Sequence, residues 1–135
     1  MRSPRFPVLA ILFAAPAAHA ASGVEVKRGE DRLVFGNCVP SLLVENNTAD
    51  TIDYLQVDLE LTLADGRRKV VELKSAYRGG IDHPIAPNAH LTLQQHLDES
   101  TALGAPCSEV KARKAAHIQC EAAGGSCASV VIVDP

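Results

Sequence analysis

One run of strict alternation constrains the fold of this chain more than any other feature. Between Tyr54 and Leu63, leucine or valine occupies every odd position and polar residues occupy the even positions from Gln56 to Thr62. A period of two is typical of a half-buried strand, because successive side chains of a strand point to opposite faces. Asp65-Gly66 favours a tight turn, so Lys69–Ala76 is predicted to return as the second strand of a hairpin.

Several shorter segments indicate the same class of structure. The length of 135 residues suits a single domain. Ser108–Ala122 stays open between helix and strand, because its composition favours a helix while the parity of its apolar residues favours a strand. Turn signals every eight to twelve residues then predict an all-β fold, a single antiparallel β-sandwich of about seven to nine short strands. The further strands are predicted at Val24–Lys27, Arg32–Phe35, Val39–Glu45, Ala89–Leu97 and Cys127–Val133.

The first twenty residues are typical of a secretory signal peptide. Arg2 and Arg5 precede the apolar run Val8–Ala15, and Ala18-His19-Ala20 places small residues where a signal peptidase cleaves. A membrane anchor is the alternative, but this run is too short to cross a hydrocarbon core, which needs about twenty residues. We therefore expect residues 1–20 to be removed, residues 21–135 to form the domain, and the protein to be periplasmic or secreted, with no membrane span.

Four cysteines follow the leader, at positions 38, 107, 120 and 127. An even number in a small exported domain predicts disulfides, and three pairings are possible. We favour Cys38–Cys107 with Cys120–Cys127, because Gly124-Gly125 would let the second pair face each other across a hairpin. The spacings match neither the close C-x2-C pairs of zinc sites nor a thioredoxin-like C-x-x-C motif.

Charge and aromatic content exclude some functions. The chain has 13 Lys and Arg against 16 Asp and Glu, a net charge of −3, which becomes about −5 once the leader is removed. Phosphate contacts need clustered Lys and Arg, and the domain retains only three aromatic residues for base stacking. We therefore expect no nucleic acid among its partners.

From Cys38 to Leu97 the layout resembles the small bacterial immunoglobulin-like domains of the FxLYD type. The resemblance rests on four motifs: Asn46-Asn47-Thr48, the alternating strand Tyr54–Leu63, Asp65-Gly66, and Ile85-Ala86-Pro87-Asn88 before the strand Ala89–Leu97. Those domains often have Pro-Gly where this chain has Pro87-Asn88. The resemblance implies an immunoglobulin-like sandwich and transfers no catalytic or binding residues.

No catalytic or metal-binding motif stands out among the remaining residues. His90 and His96 are predicted on one strand face about 20 Å apart, too far to share an ion, and no nucleophile signature is present. We therefore predict no catalytic residues, metal site or cofactor, and a non-catalytic interaction or accessory domain that binds another envelope or extracellular protein. A small metal- or ligand-binding protein, or a hydrolase that uses the loop 77–88, is the alternative.

The binding residues are predicted in the longest irregular stretch, Tyr77–Asn88. It carries Tyr77, Arg78 and His83, and Tyr and Arg are enriched at the hot spots of protein interfaces. An exposed strand edge is the other surface through which a small sandwich binds a protein.

Overall fold

The chain forms an all-β domain. The structure, a computed structural model, describes residues 3–4, 22–77, 81–95 and 102–135, without the side chains of Tyr77 and Ile81. Two 3₁₀ turns, Cys107–Glu109 and Ala128–Val130, interrupt the strands, and no α-helix occurs in these residues. The strands in chain order are β1 (Val24–Arg28), β2 (Arg32–Val34), β3 (Asn37–Val39), β4 (Ser41–Asn46), β5 (Ile52–Leu63), β6 (Arg68–Lys74), β7 (Ala76–Tyr77), β8 (Ile81–Asp82), β9 (His90–Gln94), β10 (Val110–Ala122), β11 (Gly125–Ser126) and β12 (Val131–Asp134).

Eight of these strands make one curled sheet, in the order β11–β10–β5–β6–β9–β4–β1–β12. The sheet has the fewest backbone pairings in its middle, because β6 and β9 pair only at Lys74 and Gln94. The sheet folds over at this point into two halves, β11–β10–β5–β6 and β9–β4–β1–β12, whose inner faces share one core. This architecture confirms the predicted fold class. The remaining strands form two small ribbons, β2–β3 and β7–β8.

The core is built from the alternating positions of the long strands. Every odd residue of β5 from Leu55 to Leu63 is buried, as the sequence predicts, and Val71 and Leu73 of β6 lie beside them. The opposite half contributes residues from three strands, which are Val24 and Val26 of β1, Leu42 and Val44 of β4, and Leu93 of β9. Ile85, whose backbone bridges to Ile52 of β5, is also buried in this core.

Two turns form as their sequences predict. Asp65-Gly66 links β5 to β6, with Gly66 at a φ of +86° and the Asp65 carboxylate accepting the Arg67 backbone N–H at 2.9 Å. A positive φ is a conformation that glycine adopts without steric cost. Gly125, with a φ of +111°, begins the short strand β11 that pairs with the end of β10.

The buried Asn46 organises the turn after β4. Its amide nitrogen donates to the carbonyls of Asp50 (2.8 Å) and Ile85 (2.9 Å), and its amide oxygen accepts from the backbone N–H (3.0 Å) and hydroxyl (2.6 Å) of Thr48. Both ends of the amide are therefore satisfied, as burial of such a group requires.

The structure differs from the predicted strands in their length, their number, the direction of one pairing and one boundary. β5 and β10 have 12 and 13 residues, so they are not short, and four further strands lie outside the eight-stranded sheet. One pairing, β1 with β12, is parallel, because the turn Ala128–Val130 carries the chain from β11 to the far edge of the other half. The predicted last strand Cys127–Val133 therefore begins only at Val131.

The ambiguous segment 108–122 is a strand from Val110 onward, after the 3₁₀ turn Cys107–Glu109. Of the apolar residues whose shared parity favours a strand, Val110, Ile118 and Cys120 pair with inward residues of β5, but Ala112 does not. Register shifts between Val110 and Ala112 and between Ala115 and His117 interrupt its pairing with β5. Each shift moves the following side chains to the other face, as β-bulges do. Arg113 and Ala115 consequently pair with inward residues of β5, whereas Ala112 pairs with an outward one.

Candidate functional site

The described residues of the stretch Tyr77–Asn88 are more ordered than its sequence predicts. Tyr77 pairs with Ile81 in the β7–β8 ribbon, and Ile85 exchanges two backbone hydrogen bonds with Ile52, at 2.8 and 2.9 Å. Burial of the Ile85 side chain pins the end of the loop to the core. Arg78 lies outside the described residues, so binding through Tyr77, Arg78 and His83 stays a prediction.

His83 is half-buried at the base of this loop. Its backbone N–H donates to the carbonyl of Ser75 at 2.7 Å. Its side chain lines a cavity of about 40 Å³ together with Lys74, Ser75 and Gln95. Such a volume holds about one water molecule, not an organic ligand.

The described residues contain one cluster with the composition of a metal site, and a disulfide occupies it. The ligand atoms of Asp31, Cys38 and Cys107 lie within 4.8 Å of one another. Both sulfurs are consumed by the Cys38–Cys107 disulfide, so Asp31 alone remains to offer a ligand. Cys120 and Cys127 form the second disulfide, which confirms both predicted pairings.

The curled sheet brings β10 (Val110–Ala122) and β12 (Val131–Asp134) side by side along one side of the domain, with Cα atoms of the two strands within 8 Å at their nearest points. We call this line between the two strands the seam. β10 pairs with β5 along its length, but on its seam side it pairs only with β11, at Glu121 and Ala122. β12 pairs with β1 alone. No ladder joins β10 to β12 within the described residues.

Each end of the seam is closed by a different bond. At one end the Cys120–Cys127 disulfide is reinforced by a hydrogen bond from the Cys127 N–H to the Cys120 carbonyl, at 2.9 Å. At the other end the Arg113 guanidinium donates to both carboxylate oxygens of Asp31, at 2.9 and 2.6 Å. Arg28 donates to the same carboxylate at 2.7 Å. The sheet is thereby held closed without a continuous ladder.

The ion pair at the seam is largely shielded from solvent. The side chains of Arg113 and Asp31 are 8% and 13% exposed. Burial by itself would raise the pKa of the Asp31 carboxyl, but the hydrogen bonds and charges of Arg113 and Arg28 outweigh it and hold that pKa below its ordinary value. Asp31 therefore stays ionised and keeps the bidentate geometry.

Between these closures the open edge of β10 exposes both apolar and basic groups. Ala115 and Ile118 pack against the core yet remain half-buried, and so do Val131 and Val133 across the seam. The exposed Lys114 lies on the outer face of the same edge, 4.0 Å from Glu60. An unpaired row of backbone donors and acceptors of this kind is a template for another strand.

A second prominent surface lies beside the Asp31 end of the seam, in the β2–β3 hairpin. Its turn residues Phe35 and Gly36 both have positive φ, +48° and +76°, which is the type I′ arrangement. Phe35 is 99% exposed and Leu33 is also exposed. Sequence reasoning missed this site, because Phe35 falls within the strand candidate Arg32–Phe35; Gly36, in the short link before the next strand candidate, was the available signal of a hairpin.

The outward-facing side chains of β5, in the half β11–β10–β5–β6, are polar and form hydrogen bonds with one another. The Tyr54 hydroxyl donates to Gln56 at 2.6 Å, and the Gln56 amide donates to Asp58 at 2.8 Å. Burial raises the pKa of Tyr54; Lys74 opposes this shift, and the neighbouring carboxylates of Glu72, Asp82 and Asp58 add to it. These side chains satisfy one another, as the predicted alternation of β5 requires for its outward positions.

The described part of the chain contains no helix of the length and apolarity needed to cross a bilayer. Two disulfides are typical of proteins that fold in an oxidising, exported environment.

Comparison with known proteins identifies a fold and no family. No protein-family model matches the chain, and no curated protein matches it. A solved structure of IrmA from Escherichia coli is similar, with a TM-score of 0.56 and 11% sequence identity over 82% of this chain and 90% of that one. At this identity the likeness concerns the fold alone, so the resemblance to FxLYD-type domains stays a prediction.

Proposed function

We propose that this chain is an exported, non-catalytic domain that binds another protein of the envelope or extracellular space, with the open edge of β10 as its contact surface. The observation that carries the proposal is the pairing of β10. One side of this strand is paired along its length, whereas the seam side is paired only at Glu121 and Ala122 within the described residues. Extended segments of other proteins add to sheets at such edges, where backbone hydrogen bonds supply affinity.

Charge favours a partner different from the chain itself. Lys111 and Lys114 are exposed on β10, and edge lysines disfavour pairing between two copies of the same edge. An extended segment that carries Asp or Glu would not meet this repulsion. We therefore infer that the partner presents an acidic segment to the seam.

The structure offers a matched pair of lysines to test this contact. Lys114 on the β10 edge is 70% exposed and lies 4.0 Å from Glu60, while Lys27 on β1 is 67% exposed and lies 3.6 Å from Glu25. The tagged protein should be purified from the exported fraction of its host with its bound partner, and the same partner should then be titrated against both variants. Lys114→Glu should weaken the complex roughly threefold or more, as an exposed ion pair allows.

Lys27→Glu should leave the affinity unchanged. If both variants lose affinity equally, or if no protein copurifies with the wild type, the proposal is wrong. Export is tested separately, because the exported protein should begin at Ala21. Recovery of a chain that still carries residues 1–20 would contradict the proposed route to the periplasm or medium.

A further inference from the structure

We infer that Phe35, at the tip of the β2–β3 hairpin, is an anchor that inserts into an apolar pocket of the protein partner. Three independent features of the hairpin carry this inference: the exposure of the ring, the backbone conformation that presents it, and the rigid attachment of the hairpin base. It rests on the proposed function for the existence of a protein partner, but it concerns a different surface from the edge of β10.

The exposure of Phe35 is extreme for its residue type. The side chain is 99% exposed, and Leu33, two residues earlier in the same hairpin, is 63% exposed. Burial of a Phe side chain is strongly favourable, and none of the residues that the structure describes buries the ring of Phe35. A partner that buries the ring of Phe35 would gain this favourable free energy on binding.

The backbone at Phe35 is unfavourable for a bulky residue. A φ of +48° is rare outside Gly, Asn and Asp, and type I′ turns favour Asn-Gly at the two central positions. Phe35-Gly36 has the required Gly in second position but an aromatic residue in first. Stability therefore favours Asn at position 35, whereas a contact outside the chain accounts for Phe.

The base of the hairpin is held firmly, so the tip is presented in one orientation. Cys38 is bonded to Cys107, and its N–H donates to the Ala105 carbonyl at 2.7 Å. The Asn37 side chain donates to the Phe35 carbonyl at 3.2 Å and accepts from the Gly104 N–H at 2.8 Å. A rigid aromatic anchor loses little conformational entropy on binding, and this is how hot-spot residues gain affinity.

Two other destinations for the ring are disfavoured. The net charge of the domain without its leader, about −5, opposes approach to an anionic membrane surface, which attracts clusters of Lys and Arg. A second copy of the chain is a poorer destination. Two large depressions in its described surface, of about 520 and 540 Å³, combine apolar groups with carboxylates, Glu25 and Glu45 in one and Asp53 and Glu121 in the other, which a buried ring would desolvate. The cavity at His83 is too small for the ring.

The test combines photo-cross-linking with affinity measurements on the full exported protein. A photoreactive phenylalanine is placed at position 35. As the control it is placed at Val70, which lies on the outer face of β6 and is 56% exposed. The position-35 product should contain one exported protein, identified by mass spectrometry, and the Val70 product should not. The identified protein is then purified and titrated against each variant.

We expect Phe35→Ala to weaken that complex at least tenfold and Phe35→Leu to weaken it less, while Val70→Ala has no effect. Phe35→Asn should also weaken binding at least tenfold, yet raise the thermal midpoint, because Asn tolerates the turn conformation. This opposite movement of binding and stability separates an anchor from a residue that merely supports the fold.

Four results would overturn the inference. These are a complex that tolerates Phe35→Ala, a product that consists of two copies of this chain, Phe35-dependent binding to vesicles of phosphatidylcholine and phosphatidylglycerol, and a Phe35→Asn variant that melts well below wild type. The first leaves the proposed function intact, since the partner still binds. Absence of any partner would instead remove the proposed function.

Discussion

The ion pair between Asp31 and Arg113 should be the largest single electrostatic contribution to the stability of this domain. We consider the isosteric change Asp31→Asn. Asp31 accepts two hydrogen bonds from Arg113 and one from Arg28, and the Arg113 side chain is only 8% exposed. The variant therefore leaves an enclosed guanidinium without its counter-charge.

The loss in the free energy of unfolding follows from the burial of the Arg113 side chain. Breaking a buried pair by removing one partner costs about 3–5 kcal/mol, and we take the lower end, about 3 kcal/mol, because Asp31 lies at the rim of the seam. For a domain of this length about 4 °C of thermal midpoint corresponds to 1 kcal/mol, so the expected loss is about 12 °C. Urea unfolding and a thermal scan at neutral pH measure both quantities.

The control is Glu72→Gln, which removes a carboxylate 3.1 Å from the Lys74 ammonium at the surface. This exposed pair should contribute less than about 1 kcal/mol. A double replacement, Asp31→Asn with Arg113→Met, should recover part of the loss, because it removes the uncompensated charge. Asp31→Asn within about 0.5 kcal/mol of wild type would show that the seam does not depend on this pair.

The ion pair between Asp31 and Arg113 also predicts that the stability of the domain falls at acid pH. The pKa of Asp31 is lowered in the folded protein, so its contribution is fully present above about pH 5, where an unfolded Asp is almost completely ionised. It is lost as the pH falls through the folded pKa. Between about pH 5 and pH 2 the wild type should therefore lose more stability than Asp31→Asn does. Parallel losses in the two proteins would contradict the assignment.

The other expectations concern the disulfides and the turn after β4. Replacing both cysteines of Cys38–Cys107 by Ala should lower the free energy of unfolding by about 4.4 kcal/mol, against about 2.5 kcal/mol for Cys120–Cys127, because the sequence separations are 69 and 7. Denaturant titration of both variants measures the difference, and equal losses would refute the loop-entropy argument. Asn46→Ala should cost about 2–3 kcal/mol, since it strands buried carbonyl and N–H partners, whereas Asn47→Ala beside it should cost much less.

The candidate surfaces show where sequence reasoning reached its limit. An exposed strand edge was predicted in general terms, but the identity of the edge was not, because it depends on the turn Ala128–Val130 carrying β12 away from β10. The sequence pattern places Phe35 in the strand candidate Arg32–Phe35. Its exposure follows from the turn geometry and from the hairpin standing outside the sheet, and neither is a property of local hydrophobic pattern.

The amino-acid sequence alone determined the local structure and much of the covalent framework. Period-two alternation identified the strand Tyr54–Leu63 and its buried face, Asp65-Gly66 identified the hairpin, and Gly124-Gly125 identified the cysteine pair 120–127. Each of these inferences depends on residues close together in the chain, where side-chain geometry and turn conformation are set by immediate neighbours.

Only the tertiary structure decided which strands become neighbours and which edges remain open. The parallel pairing of β1 with β12, the bulges that turn Arg113 inward, and its ion pair with Asp31 join residues far apart in the chain. Their energies depend on burial and on distances across the core, which no local pattern encodes. The seam and the exposed Phe35 are therefore consequences of how the sheet closes on itself.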